Sequence, residues 1–335
     1  MIFAHSQAAL APGSLLVLFA ALLLDAAIGD VPLVFRHLPH PVVLVGRAIA
    51  WFDRRLNRED RSERARRARG IVTVAILTVA AALLGILLER LCRALASGWL
   101  VALVVIAVLV AQRSLFEHVR AVAAALGEKG LYAGREAVRH IVGRDPTSLD
   151  EHGVARAGIE SLAENFSDGV VAPVLWTVLF GLPGLFVYKT INTLDSMIGH
   201  LSPRYRSFGW AAARLDDLLN LVPARLSGLL LAAAAALAPQ ARSGAALRIM
   251  LRDAGKHRSP NAGWPEAAIA GALDLALAGP RRYPERIVED PWIGDGRARA
   301  TVGDMYRALL IYVSACALQG AAVLILWLAI GRAAS

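Results

Sequence analysis

Three stretches of this chain, Ala8–Gly29, Gly70–Leu88 and Tyr306–Ile330, are each apolar over close to the length that a bilayer demands. An α-helix rises about 1.5 Å per residue, so roughly 20 apolar residues cross a hydrocarbon core about 30 Å thick. Inside lipid every backbone N–H and C=O must find a partner within the protein, which for continuous runs of this kind leaves the helix. A fourth stretch, Trp99–Ala111, reaches span length by continuing through Gln112 to Phe116. The first stretch is not read as a cleavable leader. No basic segment precedes it, and it runs into Asp25 and Asp30 instead of an Ala-x-Ala site.

Composition points the same way. The chain is 56% hydrophobic and 19% charged, against about 45–50% and about 25% in soluble domains. A soluble globule, a disordered chain and a disulfide scaffold are all disfavoured. Cys92 and Cys316 lie far apart in apolar surroundings and read as small hydrophobes. The net charge is +9 and all but three of the 36 basic residues are arginine. With no nucleic-acid-binding motif in view, that excess fits anionic lipid and anionic substrates.

Arginine also sets the expected orientation. Trp51–Arg69 holds eight arginines, while none precedes the first span. By the positive-inside rule this loop is cytoplasmic. Two further apolar stretches, 170–188 and 226–237, are ambiguous: Gly181-Leu182-Pro183-Gly184 breaks the first, and the second is short for an upright span. Read as re-entrant segments, they keep every polar cluster on one side of the membrane; read as crossings, they put 189–225 outside. The re-entrant reading is preferred. The expected fold is an all-α integral membrane protein, one polytopic domain over residues 1–335. It has four long transmembrane helices at about 8–29, 70–88, 99–116 and 306–330, the two short or re-entrant segments, and cytoplasmic helical loops at 117–169, 189–225 and 239–305. The expected setting is the inner membrane, multi-pass, with the active site facing the cytoplasm.

The chemistry-bearing residues fall in four clusters. The first holds Asp25, Asp30, His37 and His40, where carboxylates at membrane depth are functional candidates and helix capping is the plain alternative. In the second, Glu160, Glu164 and Asp168 stand at i, i+4 and i+8 and so share one stripe of a helix, with Asn165 beside them. Like charges at that spacing repel unless a cation or proton intervenes, and hard oxygen donors suit Mg²⁺. The third combines Lys189, Asn192, Asp195, Arg214, Asp216, Asp217, Asn220 and Arg225. Acid oxygens can hold a metal there, while guanidinium and ammonium groups grip phosphate or carboxylate. A solvated helix face would look similar in both clusters. The fourth runs Asp253, Lys256, His257, Arg258, Ser259-Pro260-Asn261-Ala262-Gly263-Trp264-Pro265-Glu266. It predicts a turn followed by a helix with Pro265 at its first position, either an anion site or a cap beside a basic patch. No standard phosphate loop, dinucleotide fingerprint, zinc-protease motif or nucleophile elbow is present.

Five runs in order carry a resemblance. They are Leu24-Asp25…Gly29-Asp30…His40-Pro41-Val42, Ala163-Glu164-Asn165…Asp168-Gly169-Val170-Val171-Ala172-Pro173, Asn192-Thr193-Leu194-Asp195-Ser196-Met197, Ala213-Arg214-Leu215-Asp216-Asp217…Asn220…Pro223-Ala224-Arg225 and Ser259 through Glu266. The chain resembles the CobD/CbiB family from about residue 20 to 295. The resemblance implies an integral-membrane enzyme of cobalamin biosynthesis, adenosylcobinamide-phosphate synthase. Such an enzyme joins (R)-1-aminopropan-2-ol, or its O-phosphate, to the free propionate carboxylate of adenosylcobyric acid with ATP. Corrinoid and aminopropanol (phosphate) would be its substrates, the lipid bilayer its setting, and other cobalamin-pathway enzymes candidate partners on the basic cytoplasmic face.

Chemistry then distributes the roles. Glu164, Asn165, Asp168, Asp216, Asp217 and Asn220 are assigned to Mg²⁺, converging from distant parts of the chain on one ion. Lys189, Arg214, Arg225, Lys256, Ser259 and Asn261 are assigned to phosphates or the substrate carboxylate, and Glu160 or His257 to the proton of the attacking amine. Two other classes share part of this pattern. A Mg²⁺-dependent intramembrane prenyltransferase also uses paired acids, and a corrinoid or small-molecule transporter also breaks its helices, although no inverted repeat is visible here.

Overall fold

The computed structural model describes residues 12–29, 39–142, 146–282 and 287–333. Twelve α-helices lie among them: α1 (Pro12–Ile28), α2 (Pro41–Leu56), α3 (Glu63–Ala94), α4 (Gly98–Leu109), α5 (Gln112–Val138), α6 (Glu151–Phe166), α7 (Ala172–Ile198), α8 (Trp210–Leu219), α9 (Leu221–Ala234), α10 (Ser243–Asp253), α11 (Gly263–Leu273) and α12 (Val302–Ala333). A π-helical turn, Ser167–Val171, joins α6 to α7. Four runs are long and apolar enough to cross a membrane: Glu63–Ala94, Gly98–Val138, Glu151–Ile198 and Val302–Ile330; α8 with α9 makes a fifth if that bent pair is one span. The helical membrane-protein class stands, but the set of long runs differs from expectation: Glu151–Ile198 takes in the stretch read as re-entrant, and α1, as described, is shorter than a span.

Several boundaries differ from expectation, each for a local reason. The 99–116 span is interrupted: α4 ends at Leu109, Val110 is extended, and helix resumes at Gln112. The broken stretch 170–188 does not stop before the polar residues but runs on through Ile198, with Gly181 taking the break at φ 66°. The all-α reading needs one amendment, two short antiparallel ladders: β1 (Leu277–Ala278) with β4 (Trp292–Ile293), and β2 (Arg281–Arg282) with β3 (Ile287–Val288). Pro265 is the third residue of α11, not the first, which costs no hydrogen bond because first-turn amides have no intrahelical acceptor.

The described residues form two compact units. One takes those of 1–111, 172–220 and 323–335; the other takes those of 112–171 and 221–322. In the first unit α3 lies along α7, with α2 and α8 beside them and α1 against α4. Its core gathers Ile49, Val74, Leu194, Ile198, Phe208 and Ala212. Glycine makes the α3–α7 approach possible: a Cβ on Gly85 would sit 2.6 Å from Pro183 Cα. That contact falls beside the α7 break, where Glu89 of α3 accepts the Leu182 N–H at 3.1 Å. A carboxylate thus caps the second half of a broken helix.

In the second unit α11 is sheathed by α9 and α10, α5 pairs with α6, and the π turn packs on α9. Helix α11, Gly-Trp-Pro-Glu-Ala-Ala-Ile-Ala-Gly-Ala-Leu, is buried almost throughout. Its small side chains let neighbouring backbones come close on every side. Tyr312 of α12 donates to the Gln112 carbonyl at 2.7 Å and meets Phe166 edge-on at 5.5 Å between ring centroids.

Candidate functional site

In the first unit a polar centre is built on α7 and α8. Tyr188 and Asn192 are one turn apart on α7, while Asp216 lies on α8 one turn before Asn220 at that helix's C-terminal cap. Asp216, 8% exposed, accepts from Asn220 Nδ2 at 2.9 Å and Asn192 Nδ2 at 3.4 Å. Asn220, 1% exposed, accepts the Tyr188 hydroxyl on Oδ1 at 2.9 Å. The carboxylates of Asp195 and Asp217 are near enough to act on Asp216 through their charge. Asp217 is half-buried and pairs with exposed Arg214 at 3.2 Å. Arg214 and Asp217 are therefore an i, i+3 pair on one helix, the plain arrangement that the charge pattern had left open. Lys189 is half-buried, among the apolar side chains of Pro41, Val42, Leu77 and Phe186 around a cavity of about 280 Å³.

In the second unit the π turn reshapes the acidic stripe. An α-helix would align Glu160, Glu164 and Asp168, but Asp168 lies in the wider turn and the three environments diverge. Glu160 is buried and accepts the Ala278 N–H at 2.8 Å, tying β1 to α6. Glu164 and Asn165 are exposed, and Asp168 is half-buried. Asn165 donates its amide to Ser161 O at 2.9 Å and Oγ at 3.1 Å, which leaves the carbonyl oxygen as the end that could ligate. π turns inside α-helices recur at functional sites.

The turn before α11 is less free to cradle an anion than its sequence suggests. His257 Nδ1 accepts the Ser259 N–H at 3.0 Å, and Ser259 Oγ accepts from the N–H groups of Asn261 and Ala262 at 3.2 and 3.3 Å. Those amides are already satisfied. His257 must then carry its proton on Nε2, which faces buried Glu266 at 3.6 Å. The cation in this region is Arg225: its guanidinium lies 4.5 Å from the Trp264 ring centroid and donates to Asn261 Oδ1 at 3.3 Å and Leu221 O at 2.8 Å. Among the described residues no carboxylate forms an ion pair with it. Lys256 is committed to Asp253 at 2.8 Å.

Asp253 was visible in the sequence without a role. It is wholly buried and accepts two bonds from Arg252, both 2.7 Å, one from Lys256 and one from the Gly294 N–H at 2.8 Å. Tyr188 was hidden in an apolar run; its spacing of four residues from Asn192 was the available signal. His40 caps α2, accepting the Val42 N–H on Nδ1 at 3.2 Å with Pro41 next. Asp25 is buried in α1, while Asp30 and His37 lie outside the described residues. Among the described residues no group of three or more His, Cys, Asp or Glu side chains is placed to hold a metal ion. Mg²⁺ ordinarily needs only one or two protein carboxylates beside substrate phosphates and water, and the buried acid–amide centre at Asp216 and the oxygens of Glu164, Asn165 and Asp168 fit that demand.

Comparison with known proteins matches residues 18–312 to the family described as CobD/Cbib protein. A relative from Sinorhizobium sp, named cobalamin biosynthesis protein CobD, is 54% identical over 92% of this chain and 97% of its own length. Proteins of the same name from Rhizobium meliloti (strain 1021) and Rhodobacter capsulatus are 52% and 46% identical, over 91% and 90% of this chain and 94% and 93% of their own lengths. No solved structure matches. On a match that takes in both units and nearly the whole of each relative, the chain belongs to the CobD/CbiB family.

Proposed function

We propose that the chain acts in cobalamin biosynthesis as the enzyme of adenosylcobinamide-phosphate synthesis. It would ligate (R)-1-aminopropan-2-ol, or its O-phosphate, to the free propionate of adenosylcobyric acid. Family membership over residues 18–312 is the observation that carries this reading. The two polar centres support it, because amide formation from a carboxylate needs anion grips, buried acids and a proton acceptor held in fixed geometry.

ATP with Mg²⁺ would supply the phosphoryl group that activates the propionate. In the first unit we assign Mg²⁺ to Asp216 and Asp217, with Asn220 orienting Asp216; Glu164, Asn165 and Asp168 are a separate candidate set of oxygen ligands within the second unit. Arg225, set over the Trp264 ring and bonded to Asn261, is the main candidate grip for phosphate or carboxylate in its unit, and Lys189 and Arg214 are the candidate cations of the other unit. Lys256, Ser259 and Glu160 have structural bonds of their own and are assigned to holding the frame. His257, backed by buried Glu266, takes the ammonium proton once it releases the Ser259 amide. We place the reaction on the cytoplasmic side of the inner membrane, where the arginine-rich 51–69 segment is expected.

The test is direct. Membranes containing the protein are incubated with adenosylcobyric acid, aminopropanol phosphate and ATP, and the amide is sought by mass spectrometry. Product that requires ATP and both other substrates supports the proposal. No amide, with lipid prenylation or corrinoid uptake instead, replaces it with the prenyltransferase or the transporter.

A further inference from the structure

We propose that the polar end of α3 carries a binding site for the headgroup of an anionic phospholipid, whose acyl chain lies along the outer face of the same helix. The observation is a division of labour among four arginines in the first two turns. Arg66 turns inward, donating to Asn57 Oδ1 at 2.8 Å and to the Arg204 carbonyl. Arg69 is half-buried. Arg64 and Arg67 face outward, one turn apart, into a pocket of about 250 Å³ shared with Glu63, Arg206, Ser207 and Trp210.

The pocket is net cationic. Its one acid, Glu63, is bridged by Arg206. Among the described residues no carboxylate pairs with Arg64 or Arg67. Arg67 lies over the Trp210 ring, 3.7 Å from its centroid, which fixes the guanidinium and leaves its edge donors for an acceptor. Trp210 itself is 38% exposed, as expected of an indole at a membrane–water interface.

Continuity with the helix selects lipid over a soluble phosphate. Positions 64, 67, 71 and 75 follow one another on a single face, with 68, 72 and 79 alongside. Beyond the arginines these are Ala68, Ile71, Val72, Ala75 and Val79, all exposed. An apolar stripe therefore begins where the cationic pocket ends. A ligand with a phosphate at one end and a hydrocarbon chain at the other satisfies both, whereas a nucleotide would engage the pocket alone.

The full-length protein in nanodiscs of phosphatidylcholine is titrated with phosphatidylglycerol, and retained lipid is read by native mass spectrometry. The wild type should retain phosphatidylglycerol, and R64Q/R67Q should weaken retention roughly 20-fold, since each surface arginine contributes about fivefold toward anionic lipid. The charge-matched R248Q/R299Q variant, altered at exposed positions of the other unit, should retain lipid like the wild type. Unfolding temperatures in detergent establish that the variants are folded. Millimolar inorganic phosphate or ATP should not displace the lipid. The proposal is overturned by equal retention of phosphatidylcholine, by R64Q/R67Q behaving as wild type, by an equal loss in R248Q/R299Q, or by displacement with phosphate or ATP, which would mark a soluble-anion site.

Discussion

The Tyr188 hydroxyl donates to Asn220 Oδ1 at 2.9 Å, so that a tyrosine inside an apolar helix orients the amide that in turn donates to Asp216. The chain of bonds fixes which end of Asn220 faces the acid. Tyr188→Phe removes one buried donor and leaves the Asn220 oxygen without its partner, an expected loss of about 1–3 kcal/mol. Asn220→Asp keeps the shape but sets a second carboxylate against Asp216 and should cost more. Thermal unfolding in detergent, run beside the ligation assay, checks both. If Asp216 serves the reaction, Tyr188→Phe lowers kcat by more than its stability change accounts for; a fall in unfolding temperature with unchanged kcat assigns the chain to structure alone.

Asp253 makes the second unit acid-sensitive. The forked bonds from Arg252 hold its carboxyl far below the usual carboxylate range, with Lys256 and the Gly294 N–H adding to them against the opposing effect of burial. As pH falls below about 4, the unfolded chain takes up a proton at this position and the native chain does not. The stabilisation is thus complete above that value and is lost progressively on further acidification. Asp253→Asn should lower stability at neutral pH by roughly 2 kcal/mol, the scale of a lost charged hydrogen bond. It should also make the decline from about pH 5 to about pH 3 shallower than in the wild type. Unfolding curves across pH that stay parallel for the two proteins would show that other groups set the acid response.

Gly85 and Gly244 should respond in opposite directions to the same substitution. Alanine at Gly85 would drive its Cβ to 2.6 Å from Pro183 Cα at the α3–α7 contact, whereas a Cβ on Gly244 meets nothing within 4 Å. Overpacking typically costs about 1–3 kcal/mol, while alanine replacing glycine in an open helix gains up to about 1 kcal/mol. Detergent unfolding temperatures should therefore fall for Gly85→Ala and hold or rise for Gly244→Ala. Equal shifts would mean that the close approach of the two helices does not limit stability.

What the sequence made legible follows from which interactions are local. Apolar length announced the α3 and α12 spans, because it is read directly off consecutive residues, and Gly181 with Pro183 announced the break in α7, because that effect acts within one turn of helix. The acidic stripe at Glu160, Glu164 and Asp168 was legible as residues but not as geometry: a π turn adds a residue to the winding, and the pattern of polar side chains carries no mark of it. Long-range partners were out of reach for the same reason. Nothing near Glu160 foretells its bond to the Ala278 amide, and nothing near Asp253 foretells Gly294. The Ser259 turn was correctly placed, yet its amides are taken by neighbouring side chains, a local choice between backbone and ligand that residue types alone do not settle.

Arg225 offers the sharpest test of the proposed anion grip, because charge and shape can be separated at that position. Its guanidinium carbon lies 4.5 Å from the Trp264 ring centroid, and the group is bonded to Asn261 and Leu221. Lysine preserves the charge but cannot stack or present a fork of parallel donors. If Arg225 binds substrate phosphate or carboxylate, Arg225→Lys should raise KM for that substrate about tenfold with a smaller change in kcat, as expected when binding common to ground and transition states is weakened. Arg225→Ala should lose more, and free guanidinium in the assay should restore part of its activity. A variant series that lowers unfolding temperature without moving KM, and that guanidinium does not rescue, would place Arg225 in the scaffold between α9 and α11 and shift the grip to Lys189 or Arg214.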